Sequence, residues 1–183
     1  HTQWTIDDNK EAGYRFKPLV KLTKWWRRVH LAALRRPKGF ILECLVAKHM
    51  NYFEERYEPL FVTLLEAIRD AYAFTVILEK VPFLEDPGVP GGNVFSNVKF
   101  EEFKQFYDTV KAQAELARKA VNEEDGDKQL ELWRQVFGSR FPANGKSRSA
   151  AASIAPSLLK PALGLGLTFP STPVLPNKPA GFA

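Results

Sequence analysis

The chain has 183 residues, of which 45% are hydrophobic and 26% charged, with one cysteine and a net charge of +5. This length and composition are typical of one globular domain, and a lone cysteine excludes a disulfide framework. No apolar run reaches the roughly 18 residues that a membrane span needs and no signal peptide opens the chain, so a reducing cytoplasm is the expected location. Because the first residue is His1, we interpret the chain as a piece of a longer protein.

The positive charge is unevenly distributed along the chain. Residues 143–183 hold four Lys or Arg and no acid, which leaves the body before them with a net charge of about +1. Within that body, residues 15–38 hold nine Lys or Arg and no Asp or Glu. The high overall pI is therefore weak support for nucleic-acid binding, whereas the local basic segment calls for a specific cause.

Residues 1–15 are interpreted as a link, with Asp7 and Asp8 in an extended segment where adjacent side chains point apart. A helix from Phe16 to His30 follows, with Pro18 in its first turn. Its apolar and basic residues are predicted to lie on opposite sides. The apolar stripe holds Leu19, Leu22, Trp26 and Val29, and the basic face holds Lys17, Lys21, Lys24 and Arg28.

A second helix is predicted from about Phe40 to Met50, and Cys44 within it is expected to be a buried thiol. A short helical piece at Tyr52–Glu58 and a long central helix from Pro59 to about Lys80 come next. Leu60, Leu64, Ile68 and Tyr72 have the helical spacing of a core face in the long helix.

The Pro- and Gly-rich segment 81–93 predicts an ordered loop, in which Asp86 and Asn93 fix the backbone through side-chain hydrogen bonds. Asn97 is predicted to cap a helix from about Lys99 to Asn122. Asp127 is predicted to cap a last helix that stops at Phe137 and Gly138. We predict no strand.

From residue 143 onward the composition changes to Pro, Gly, Ala, Ser and Leu. Residues 143–183 are therefore expected to form a flexible tail. The tail contains more apolar residues than a passive linker needs, which fits a segment that binds a partner in an extended form.

We find no complete active site. Nucleotidyl transfer needs clustered carboxylates that hold two Mg²⁺ ions, and Asp125-Gly-Asp127 has the spacing but lies in a turn between helices, without a strand. His1, His30 and His49 lack metal-ligand spacing. We therefore predict no catalytic and no metal-binding residue in this chain.

The basic helix face is a stronger signal. A polyphosphate is bound by several cations that converge on one volume, and Lys21 and Lys24 lie one helical turn apart. A solvated surface without a ligand is the alternative interpretation of such a face.

Four segments in order resemble the bacterial cyclic-oligonucleotide synthases, a branch of the cyclic GMP-AMP synthase and oligoadenylate synthase superfamily. They read FKPLVKLTKWWR at 16–27, PKGFILECL at 37–45, FLEDPGVPGGNV at 83–94 and WRQVFGSRFP at 133–142. The resemblance implies an all-α helical bundle over residues 16–142 that forms the C-terminal lobe of a nucleotidyltransferase. The catalytic carboxylates of such an enzyme lie in an N-terminal lobe, outside this chain.

By the same resemblance, Lys21 and Lys24 contact nucleotide phosphates and Phe40 lies near a base. Core packing is the equal alternative for Phe40. Related synthases often have a hydroxyl residue at the position of Gly39, so we expect a backbone amide or Lys38 to make that phosphate contact. The longer protein would join ATP, with or without GTP, into a cyclic di- or trinucleotide in antiphage defence, with Mg²⁺ bound by the other lobe.

The family also implies protein partners. In many of its operons a ubiquitin-like ligase with E1- and E2-type parts conjugates the C-terminal carboxylate of the synthase, here Ala183, and an activator protein is a further expected partner. The chain departs from the ubiquitin-like Gly-Gly ending because bulky Phe182 precedes Ala183. A tail without a partner is one alternative, and a stand-alone helical nucleic-acid-binding domain is another, although the near-neutral body argues against the latter.

Overall fold

A computed structural model describes residues 2–37 and 39–142, with the side chain of Thr2 excepted. Within these residues the fold is helical, as predicted, with one small antiparallel hairpin. The elements are α1 (Thr2–Glu11), α2 (Phe16–His30), α3 (Phe40–His49), α4 (Tyr57–Ile77), β1 (Glu85–Asp86), β2 (Val89–Asn93), α5 (Phe100–Asn122) and α6 (Gly126–Phe137). Lys38 and the tail lie outside the described residues. The prediction that no strand forms was wrong for the hairpin.

The core forms around α4, which packs against α5, while α5 packs against α6 and α2 contacts α3, α4 and α6. The predicted core face of α4 is confirmed, since its four residues are between 0% and 7% exposed. Trp26 of α2 is fully buried and meets Phe61 and Phe106 edge-on, at ring-centroid distances of 6.4 and 6.3 Å. Burial of such rings is the main source of stability in a helical bundle of this size.

The predicted extended link is instead largely helical, as α1. Trp4 on α1 packs edge-on against Phe16 at 6.0 Å, and the Asn9 carboxamide oxygen accepts a hydrogen bond from the Lys17 amide at 3.0 Å. Asp7 and Asp8 therefore lie on a helix and not in an extended segment. Packing against α2 stabilises α1, which has little amphipathic pattern of its own.

Three local predictions were wrong by a few residues. The helical piece at Tyr52–Glu58 is absent, because residues 51–56 form turns and α4 begins at Tyr57. Asn97 does not cap α5. The amide of Lys99, the residue before the helix, instead donates a hydrogen bond to the Glu102 carboxylate at 3.2 Å. Asp125, not Asp127, caps α6, accepting hydrogen bonds from the amides of residues 127 and 128 at 3.0 and 3.1 Å. The acid just outside the helix reaches the free amides, whereas Asp127 is already helical.

The segment from residue 81 to 98 is ordered by Asn93, as predicted. Its side-chain oxygen accepts hydrogen bonds from the amides of Leu84 and Phe95, both at 3.0 Å, and its amide group donates to the Pro82 carbonyl at 3.4 Å. The Asp86 carboxylate accepts from the Gly88 amide at 2.8 Å. These contacts hold Phe95, which is 1% exposed, against the core. Of the described helices, none combines the length and apolar character needed to cross a bilayer.

Candidate functional site

Helix α2 presents the predicted basic face to solvent. Lys17, Lys21 and Arg28 are exposed and Lys24 is partly buried, while Leu19 and Trp26 on the opposite side are 0% exposed. One predicted member of the apolar stripe differs, because Val29 is 41% exposed near the end of the helix. The buried side fixes the orientation of α2, so the cations are held on one surface.

Lys24 reaches across to α3 and forms an ion pair with Glu43. The Lys24 Nζ lies 2.6 Å from the Glu43 Oε1, and the two side chains are 37% and 23% exposed. An ammonium group has three donors and this bond uses one of them. Glu43 was not predicted as part of the site, because the sequence does not show which residues of α3 face Lys24.

Arg27 connects α2 to the segment that leads into α3. Its Nε donates to the Pro37 carbonyl at 3.1 Å, and its Nη2 donates to the Leu34 carbonyl. Leu31 and Leu34 of the same segment are buried. Partial burial lowers the pKa of the Arg27 guanidinium, which stays cationic at neutral pH. Arg27 thus positions the start of α3, a role that no motif or spacing in the sequence indicated.

Helix α3 begins with an unusual backbone conformation at Gly39. The φ angle of Gly39 is +55° and its ψ is −112°, a combination that side chains disfavour, and no described side chain caps the helix. The first amides of a helix without a side-chain cap, together with the helix dipole, favour an anion. Lys38, which precedes this turn, is outside the described residues.

Phe40 is half-buried at the first turn of α3. Its ring meets the Trp4 ring edge-on, with the centroids 6.2 Å apart. Part of the ring therefore packs against α1, as the core-packing alternative requires, and the rest reaches the surface. Lys24 reaches the first turn of α3 through Glu43, three residues after Phe40, and we call this part of the surface the α2–α3 corner. Lys21 lies one turn earlier and borders a groove near the end of α6.

The described residues hold no group of three or more His, Cys, Asp or Glu side chains that could bind a metal ion. Asp125 is engaged as a helix cap. Cys44 is buried, as predicted, and burial raises the pKa of its thiol to about 12. Burial lowers the pKa of His49 to about 4, and its Nε2 lies 3.1 Å from the Tyr72 hydroxyl. The side chains of residues 3–37 and 39–142 do not fit a magnesium site.

Comparison with known proteins shows what the chain is similar to, although no protein-family model matches it. The chain is 63% identical over 184 residues to the cyclic AMP-AMP-AMP synthase of Acinetobacter sp., an alignment that covers 100% of the chain and 54% of that protein. The predicted resemblance to the bacterial cyclic-oligonucleotide synthases is therefore confirmed along the whole chain.

A more distant relative in the family is the cyclic AMP-AMP-GMP synthase of Enterobacter hormaechei, which is 30% identical over 182 residues, or 99% of the chain and 45% of that protein. The chain thus spans about half the length of the curated relatives it matches. Its fold is similar to that in the structure of the E. coli MS115-1 CdnC:HORMA-deltaN complex, with a TM-score of 0.55 and 20% identity over 74% of the chain and 49% of the other. Such a likeness supports the helical fold alone.

Proposed function

We propose that this chain is the C-terminal helical lobe of an enzyme that joins ATP, with or without GTP, into a cyclic oligonucleotide. The observation that carries the proposal is the 63% identity, over the whole chain, to a cyclic AMP-AMP-AMP synthase. That relative favours a trinucleotide made mainly from ATP. The carboxylates of such an enzyme, and the Mg²⁺ ions that they hold, would belong to its other half, as the resemblance implies.

The role we assign to this half is to bind the triphosphate of a nucleotide at the corner between α2 and α3. Lys24 supplies a cation whose direction is set by Glu43, and the uncapped start of α3 supplies backbone amides. Lys21, and Lys38 before the turn, would add positive charge near the same phosphates. A glycine at residue 39 lets a phosphate approach the backbone without meeting a side chain.

Phe40 offers the accessible part of its ring to a base beside that triphosphate. Its other edge is held by Trp4, so the ring would not need to move when a nucleotide binds. The corner would thus bind and orient a nucleotide, while bond formation takes place on groups supplied by the other half.

The test uses the full-length protein that contains this chain. Incubated with ATP, or with ATP and GTP, and Mg²⁺, it should form a cyclic trinucleotide that is identified by liquid chromatography and mass spectrometry. The 183-residue chain assayed alone should form none. Turnover by the chain alone would show that the catalytic carboxylates lie within it, and a cyclic dinucleotide from the full-length protein would contradict the proposed ring size.

We further propose that the enzyme acts in antiphage defence and that a ubiquitin-like ligase with E1- and E2-type parts conjugates its tail at the carboxylate of Ala183. A tail of small and apolar residues suits threading into an adenylating site. Deletion of Gly181–Ala183 should abolish the covalent adduct with the ligase on a denaturing gel, while Lys178→Arg should leave it intact. An adduct that survives the deletion but is lost in Lys178→Arg would place the linkage on the lysine instead.

A further inference from the structure

An apolar groove lies between α2 and the end of α6, and Lys21 lies between it and the α2–α3 corner. Its volume is about 220 Å³ and its floor is formed by Leu22, Trp25, Phe137, Phe141 and Pro142. The Trp25 side chain is 45% exposed, although indole rings are among the side chains that gain most from burial. We call this surface the Trp25 groove.

The walls of the Trp25 groove are held in place by specific contacts. The Trp25 indole N–H donates to the Phe137 carbonyl at 2.9 Å, and the rings of Phe137 and Phe141 stack with their centroids 5.5 Å apart. Gly138 turns the chain with a φ of +82°, where a Cβ would lie 3.1 Å from the nearest Val29 side-chain atom. The groove is therefore preformed, which lowers the entropic cost of binding.

The rim of the Trp25 groove is basic. Lys21 and Arg140 border the groove. Arg28 borders a second depression beside it, and Trp25 and Arg140 line both depressions. No Asp or Glu lines either depression among the described residues. A partner with carboxylates around an apolar anchor complements both the rim and the floor.

The floor favours a protein partner over a nucleic acid. A nucleobase read by its edges needs hydrogen-bonding groups. The one side-chain donor of the floor, the indole N–H of Trp25, is already bonded to Phe137. An aromatic or branched aliphatic side chain needs no such group and fits a cavity of this size.

The tail is the nearest competing occupant, since it follows Pro142 directly. It carries four Lys or Arg and no acid, so it has the same charge as the rim. Like charges brought together at a binding surface cost free energy and disfavour the tail as the occupant.

We propose that the Trp25 groove docks an acidic segment of a partner protein through one aromatic or branched aliphatic anchor. The inference rests on the groove and its rim alone, and it holds whether or not the α2–α3 corner binds nucleotides.

The test begins with a library of random 12-residue peptides displayed on phage and selected on the full-length protein that contains this chain. Enriched peptides should carry several Asp or Glu around a Trp, Phe or Leu. The affinity of the best peptide, measured by fluorescence polarisation, should fall at least about tenfold in Trp25→Ala and in Arg140→Glu. Arg69→Glu, a charge reversal on α4, should change it less than about twofold. Arg140→Glu changes an exposed side chain, so it remains informative if Trp25→Ala fails to fold.

No enrichment, enrichment of neutral or basic peptides, or unchanged binding by Arg140→Glu would overturn the proposal. A 20-base-pair RNA duplex serves as the nucleic-acid probe. Duplex binding that is tighter than peptide binding and is lost in Arg140→Glu would assign the groove to nucleic acid. Deletion of residues 143–183 should leave peptide affinity within about twofold, whereas a gain of about tenfold would show that the tail itself fills the groove.

Discussion

Two segments separate neighbouring helices, residues 31–39 between α2 and α3, of which Lys38 is not described, and residues 81–98 between α4 and α5. One polar side chain fixes each of them. Asn93 holds the second segment from within, bonding to backbone groups 2 to 11 residues away. Arg27 holds the first segment from the neighbouring helix, through the carbonyls of Leu34 and Pro37.

The two segments differ in whether they lie in the core or beside the candidate site. The segment 81–98 closes on itself and presses Phe95 into the core, so its order contributes mainly to stability. The segment 31–39 ends at the uncapped start of α3, beside the ion pair of Lys24 and Glu43. We expect changes in the two segments to separate stability from nucleotide use.

The largest expected effect on stability is that of Asn93→Ala. The change removes the acceptor of two backbone amides and one donor, and should lower the free energy of unfolding by about 2–3 kcal/mol. Urea denaturation followed by circular dichroism measures it. Asp86→Ala removes one bond in an exposed turn and should cost less than about 1 kcal/mol. Equal losses for both variants would contradict the central role of Asn93.

Arg27→Ala should lower the free energy of unfolding by about 1–2 kcal/mol, because two backbone carbonyls lose a charged donor. It should also raise the KM for ATP of the full-length protein by about tenfold, since the start of α3 is no longer held. The matched control is Asn93→Ala, assayed at a temperature where it is folded, which should leave KM unchanged. A similar rise in KM for both variants would remove the distinction between the segments.

Lys24→Ala in the full-length protein should raise the KM for ATP by about tenfold, equivalent to about 1.4 kcal/mol of lost binding. Arg69→Ala removes a cation paired with Asp70 on α4 and should change KM by less than about twofold. Glu43→Gln should act in the opposite direction and lower KM by about twofold, because Lys24 is released to the phosphates. Equal effects of the two alanine variants would favour a solvated face without a ligand.

The smallest expected effect is a pH dependence that reports on how the end of α3 packs near the second segment. His49 at the end of α3 contacts Tyr72, whose ring meets Phe95 of the second segment. Burial lowers the pKa of His49 from 6.5 to about 4, so the unfolded chain binds the proton more readily and stability falls as the pH drops from 6.5 to 4. We expect a loss of about 1 kcal/mol, reduced by partial exposure of the ring. In His49→Gln, the fall in the free energy of urea unfolding between pH 6.5 and 4 should become smaller by this amount. An unchanged fall would show that carboxylates cause it.

Short-range patterns in the sequence were enough to predict the helical class, the bounds of α2, the burial of Cys44, the core face of α4 and the role of Asn93. They failed where an element has no pattern of its own, as in α1, which packs through Trp4 onto Phe16. They also failed where two acidic residues close together could each cap the same helix, as with Asp125 and Asp127 at the start of α6.

The candidate site shows the same division. The sequence by itself determined that Lys17, Lys21, Lys24 and Arg28 share one face of α2, because residue spacing fixes direction on a helix. Only the tertiary structure decided that Glu43 pairs with Lys24, that Arg27 holds the start of α3, and that Trp25 meets the end of α6. These partners are 7 to 112 residues apart in the chain. Their contacts depend on how the helices pack, which no local pattern encodes.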